Sequence, residues 1–106
     1  MGFRDLFQRP DINKGVEEYR AAERAVLLDV RERDEYEGGH IPGSRNLPLS
    51  DIAKAASVIA DKTTAVFVYC LSGGRSSAAA AALRRMGYTD VHDIGGIGAW
   101  RGEVER

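Results

Sequence analysis

One cysteine, Cys70, is followed by the run Leu71-Ser72-Gly73-Gly74-Arg75. Ahead of it, Val66-Phe67-Val68-Tyr69 is a continuous run of β-branched and aromatic residues, the pattern of a parallel strand covered on both faces. Behind it, Ser76 to Met86 is rich in alanine, and Ala79, Ala82, Leu83 and Met86 recur at helical spacing. Arg84 and Arg85 suit the negative end of that helix, and Gly87 its C-terminal cap. The cysteine therefore stands at the end of a strand, where a glycine-bearing turn opens a helix. Backbone N–H groups at a helix N-terminus lack partners within the helix, and two glycines let the turn curl so that they converge as a cradle for an anion. Arg75 is the only cation in the loop. Such surroundings favour the thiolate of a cysteine whose free pKa is about 8.5, and the thiolate is the nucleophilic form. The competing reading is a small buried hydrophobe, the usual role of a lone cysteine. Its place between strand end and glycine turn favours chemistry.

The elements that must hold this loop can be read in chain order. Phe3, Leu6 and Phe7 at i, i+3, i+4 suggest an amphipathic turn packed on the domain or on a partner. Asp11 to Asn13 is expected to be a lead-in or short strand, with Asn13 capping a helix to about Ala22 that turns Val16 and Tyr19 inward. Ala25 to Val30 is a second buried-strand run, and Glu32 to Glu37 a helical turn ended by Gly38-Gly39. His40-Ile41-Pro42-Gly43 is a turn and Ser44 to Leu47 a short strand. Ser50 is expected to cap a helix to about Ala60 with Ile52, Ala56 and Ile59 inward, and Val91 to Ile94 is the last strand. Strands alternating with helices indicate an open, mainly parallel α/β sheet with helices on both faces and right-handed crossovers. Ligands of such sheets sit at the carboxyl ends of the strands, where Cys70 and Arg31 both fall.

Composition narrows the function classes. A chain of 106 residues, 43% hydrophobic and 29% charged, suits one soluble globular domain, residues 1–106. A net charge of -1 gives no general attraction to nucleic acid or to an anionic membrane. One cysteine excludes an intrachain disulfide or a multi-cysteine zinc site and fits a reducing, cytoplasmic compartment. No run is long enough to span a membrane, no signal-peptide core follows the N-terminus, and Leu6 breaks the Met1-Gly2 myristoylation pattern.

Three blocks in order carry a resemblance. They are Leu28-Asp29-Val30-Arg31-Glu32 with Glu35-Tyr36, Gly39-His40-Ile41-Pro42-Gly43 and Asn46-Leu47-Pro48; the loop Cys70 to Arg75; and Gly95-Gly96 with Ala99-Trp100. Between Ile12 and Trp100 the chain resembles the rhodanese-like domains, and the loop matches that family's Cys-x-x-Gly-x-Arg pattern. The resemblance implies a sulfurtransferase. Cys70 would attack the outer sulfur of a donor such as thiosulfate, become a persulfide, and pass the sulfur to cyanide or a thiol, a protein acceptor included. Arg75 would anchor the loop and add field, and the N–H groups of Leu71, Ser72, Gly73, Gly74 and Arg75, with Ser76 beside them, would form the substrate cradle. No metal, no cofactor and no separate general base is implied. Monomer or weak homodimer is the expected state.

The other polar residues take structural readings. His40 hydrogen-bonds within its turn, and it and His92 lack a cluster at metal-ligand spacing. Asp29 and Arg31 tie a strand end to neighbouring loops. Glu32, Asp34, Glu35 and Glu37 form a solvated face, Trp100 is core or pocket wall, and Gly95-Gly96 a tight turn beneath the loop. Two other functions share the resemblance. Phosphatases and arsenate reductases of the same fold place five residues between Cys and Arg, where this loop has four, Leu71 to Gly74. Binding modules of the fold typically lack the cysteine.

Overall fold

The structure, a computed structural model, describes residues 10–106; the expected amphipathic turn at Phe3, Leu6 and Phe7 lies outside them. Four strands, β1 (Ala25–Asp29), β2 (Arg45–Asn46), β3 (Ala65–Cys70) and β4 (Val91–Gly96), alternate with three α-helices, α1 (Ile12–Ala21), α2 (Arg33–Glu37) and α3 (Gly74–Arg85). The strands form one parallel sheet in the order β2-β1-β3-β4. The α/β expectation holds.

Period-two geometry explains why β3 carries no polar residue. Val66, Val68 and Cys70 face one core, where they meet Leu28 and Val30 of the β1 region, Ala79 and Leu83 of α3, and Ala55 and Ile59. Phe67 and Tyr69 face the other, against Leu27, Ile41, Ile94 and the α1 residues Ile12 and Val16. With both sheet faces covered, both sets of side chains must be apolar. Cys70 thus belongs to the α3 side of the sheet.

Four local expectations need correction. Asp11, not Asn13, caps α1: its carboxylate accepts from the N–H groups of Asn13 and Lys14 at 3.0 and 3.4 Å. Asp11 and Asn13 are both good caps, but only Asp11 leaves Ile12 inside the helix, where it is buried. Residues Leu49–Ser57 form a 3₁₀ helix that begins after Pro48, so Ser50 lies within it and does not cap it. Its tighter winding turns Ala55 inward, fully buried, and leaves Ala56 exposed. The strand expected over 44–47 pairs only at Arg45 and Asn46. Gly95-Gly96 are not a turn: both belong to β4 and pair with Tyr69 and Cys70.

Candidate active site

The loop is shaped first by its backbone. Gly73 precedes α3 with φ +109°, a left-handed value that costs a residue with a Cβ roughly 1 kcal/mol or more. That bend starts α3 at Gly74, two residues earlier than the alanine pattern suggests, and turns N–H groups back over the end of β3. Gly96 supplies the floor. A Cβ there would stand 2.1 Å from the carbonyl oxygen of Leu71, so only glycine lets β4 pass so close under the loop. Gly98 N–H donates to that same carbonyl at 3.0 Å.

Cys70 sits at the bottom of this cup, 1% exposed. Its sulfur accepts from Gly73 N–H at 3.0 Å and from Ser76 N–H at 3.2 Å, and Ser76 Oγ lies 3.5 Å away. Burial pushes the thiol pKa up. Hydrogen bonding by Ser76, Gly73 and Ser72 outweighs burial and holds it below the ordinary value. Of the loop N–H groups, those of Gly73 and Ser76 lie within hydrogen-bond distance of the sulfur. Leu71 and Ser72 are exposed at the rim. A hollow of about 520 Å³ beside the loop is lined by Leu71, Ser72, Gly73, Asp93, Gly96 and Ala99, among others.

Arg75 does not reach the sulfur. Its guanidinium forks onto Glu35, Nη1 to Oε1 at 2.7 Å and Nη2 to Oε2 at 3.0 Å. This pair corrects the reading of Glu35 as part of a solvated face. The Arg75 bond, against a smaller opposing effect of burial, lowers the Glu35 carboxyl to about 2. Glu35 also accepts from Glu32 N–H at 2.8 Å, closing the cap of α2. Arg75 therefore clamps α3 to α2, and its charge still acts on Cys70 through space. Sequence spacing could not show this bond, because the partners are 40 residues apart.

The remaining polar residues brace the cup. Asp29 and Arg31 form a buried ion pair at 2.7 Å, and Arg31 donates to Gly39 O at 2.8 Å, tying the end of β1 to the following turn. His40 stacks on Tyr36 with centroids 3.8 Å apart and its Nδ1 lies 2.9 Å from Tyr36 O. Trp100 packs against the α1-side core. Asp93, which the sequence reading passes over, bonds Ser76 Oγ at 2.7 Å and Gly95 N–H at 3.2 Å. A lone Asp on a strand carries no motif to mark it. Among the described residues no group of His, Cys, Asp and Glu is placed to hold a metal ion. No helix among them is long and apolar enough to cross a membrane.

A parallel sheet whose third strand ends in a cysteine beneath two N–H donors defines a class of α/β proteins with a cysteine loop at the carboxyl edge. The chain belongs to the rhodanese-like domain family, whose model matches residues 13–103. The uncharacterized protein YqhL of Bacillus subtilis is 45% identical over 92 residues, covering 84% of this chain and 71% of its own. Thiosulfate sulfurtransferase PspE of Escherichia coli is 38% identical over 71 residues, 66% of this chain and 68% of its own. A solved rhodanese with anions from E. coli superposes with a TM-score of 0.72 at 32% identity, over 77% of this chain and 98% of that one. The family and its sulfurtransferase members are therefore the frame for this loop.

Proposed function

We propose that the protein is a sulfurtransferase that carries a sulfane sulfur as a persulfide on Cys70. The observation that supports this most directly is the sulfur of Cys70 held at 3.0 and 3.2 Å by two backbone N–H groups. In the first half-reaction the Cys70 thiolate attacks the outer sulfur of a donor such as thiosulfate. A new S–S bond forms, and the old one breaks with its electron pair leaving on sulfite. In the second, a thiol or cyanide attacks the outer sulfur of the persulfide and Cys70 departs as thiolate, stabilised by the same N–H donors. Both steps are nucleophilic displacements at sulfur, so a lowered thiol pKa serves Cys70 as nucleophile and as leaving group. Leu71, Ser72, Gly73, Gly74 and Ser76 form the cradle, and Arg75 anchors it.

A phosphatase reading finds less support. Four residues separate Cys70 from Arg75, and the two backbone N–H groups that converge here meet at a single atom, the Cys70 sulfur. The Arg75 fork, which a phosphate would need, is already engaged by Glu35.

The test is intact-mass spectrometry after incubation with thiosulfate. The expected result is a gain of one sulfur on Cys70, reversed by cyanide and absent in Cys70→Ser. An unchanged mass, with aryl phosphate hydrolysed by the wild type, would reverse the choice between the two chemistries.

A further inference from the structure

Ser76 is fully buried and has one hydroxyl proton to give. Its Oγ lies 2.7 Å from Asp93 Oδ1, 3.1 Å from Gly73 O, 3.4 Å from Gly95 O and 3.5 Å from Cys70 Sγ. A bond to an ionised carboxylate is shorter and roughly twice as strong as one between neutral groups. The proton therefore points at Asp93, and the thiol S–H of Cys70 donates into the lone pair of Oγ. We propose that Asp93 is a positioning residue for Cys70, which holds the Ser76 proton away from the sulfur. When Cys70 ionises, its S–H bond breaks, the proton leaves to solvent and the sulfur keeps the electron pair. Two anions then compete for one hydroxyl proton, and Asp93, closer by the difference between 3.5 and 2.7 Å, retains it. The thiolate is left with the N–H groups of Gly73 and Ser76.

The consequence for chemistry is a balance. A thiolate given every available donor is more populated at neutral pH but less nucleophilic. By withholding one donor, Asp93 trades some thiolate population for reactivity at the sulfur. The second bond to Asp93, from Gly95 N–H at 3.2 Å, fixes the carboxylate where β4 bends beneath the loop, Gly95 having φ +99°. The other charges around the sulfur are Arg75 of α3 and, acting on Arg75, Glu35 and Glu32 at α2. Asp93 itself also borders a hollow shared with Lys14 and Glu18 of α1, Arg84 of α3 and His92 of its own strand. None of these needs to change protonation between wild type and the variants below for the comparison to hold.

The inference rests on Cys70 being the reacting atom of the sulfur-transfer reading, and its test does not require transfer to occur. With a single cysteine in the chain, iodoacetamide alkylation followed between about pH 5 and pH 10 reads the Cys70 titration alone. Asp93→Asn keeps the shape and an oxygen acceptor but removes the charge. The hydroxyl proton then turns to the thiolate, and the midpoint should fall by about one unit. Ser76→Ala alone should move the midpoint by much less than one unit, because Asp93 draws the hydroxyl proton away from the sulfur. Ser76→Ala combined with Asp93→Asn should raise the midpoint back by about one unit relative to Asp93→Asn. Equal falls on Asp93→Asn with and without the hydroxyl would mean a through-space charge effect and overturn the proposal. A rise of about one unit on Ser76→Ala alone would overturn it as well, and that variant needs no change at Asp93 should Asp93→Asn not fold. Absence of persulfide in all four proteins would sink the sulfur-transfer reading and leave these titrations to stand by themselves.

Discussion

At Cys70 two effects oppose each other: burial of the thiol, which disfavours its anion, and hydrogen bonds from the loop, which favour it and prevail. Alkylation should therefore show a midpoint below the free-thiol value of about 8.5. Yet with Cys70 only 1% exposed, the rate at full ionisation should be lower than for a free thiol, because reagent reaches the sulfur only when the loop yields. A midpoint at or above about 8.5 would remove the activated-thiolate argument. Arg75 enters the same balance from a distance. Arg75→Ala removes the positive charge and leaves the Glu35 carboxylate unpaired nearby, so the midpoint should rise. Glu35→Gln added to it should undo part of that rise. If Arg75→Ala leaves the midpoint unmoved, the through-space role of its charge is wrong. Cys70→Ser, which keeps an atom of similar size at the strand end, should fold as the wild type does and transfer no sulfur.

At the scale of elements, the loop is held by how closely β4 approaches it. Gly96→Ala would place a methyl 2.1 Å from the Leu71 carbonyl, a backbone atom that cannot swing aside. The expected result is a displaced loop and sulfur transfer reduced by about 10²-fold, the cost of losing one oxyanion-type contact. Gly98→Ala, whose methyl would meet the same oxygen at 3.2 Å, should cost far less. Similar activities for the two variants would show that the floor does not set the loop. The elements themselves were legible to different degrees. β1, β3 and α3 announce themselves because covering a sheet on both faces or lining one helix face leaves an unbroken periodic trace, as in Val66–Tyr69 and Ala79–Leu83. The stretch Leu49–Ser57 misleads because apolar residues spaced for an α-helix wind instead as 3₁₀, which exchanges Ala56 for Ala55 at the core. The loop residues Cys70 and Arg75 are readable from local order alone. Their partners Asp93 and Glu35 are not, since each contact depends on two elements being brought together by the sheet.

For the molecule as a whole, side-chain bonds between elements join the parts around the cup, those of Tyr69 and Arg75 among them. Tyr69, fully buried beside Cys70, accepts from Ile41 N–H at 3.1 Å and donates to Ser44 Oγ at 3.1 Å, fixing the turn after α2 to β3. Arg75 and Glu35 join α2 to α3. That second link titrates. The Glu35 carboxyl is held at about 2, against an ordinary 4.5. Its folded-state pKa is depressed, so the stability it contributes is fully present above about pH 4.5 and is lost as pH falls toward about 2. With side chains 34% and 29% exposed, solvent screens the pair and its share of the total is modest. Glu35→Gln lacks this contribution at every pH. Urea unfolding at pH 7, 4.5 and 3 should therefore find the variant less stable than wild type at pH 7, with the gap narrowing as the pH drops. Added salt should narrow the gap at pH 7 in the same way, because a partly exposed pair is weakened by counterions. A gap that stays constant from pH 7 to pH 3 would mean that Glu35 acts through packing or through its cap on α2, and that the charge of the Arg75 clamp does not hold the two helices together.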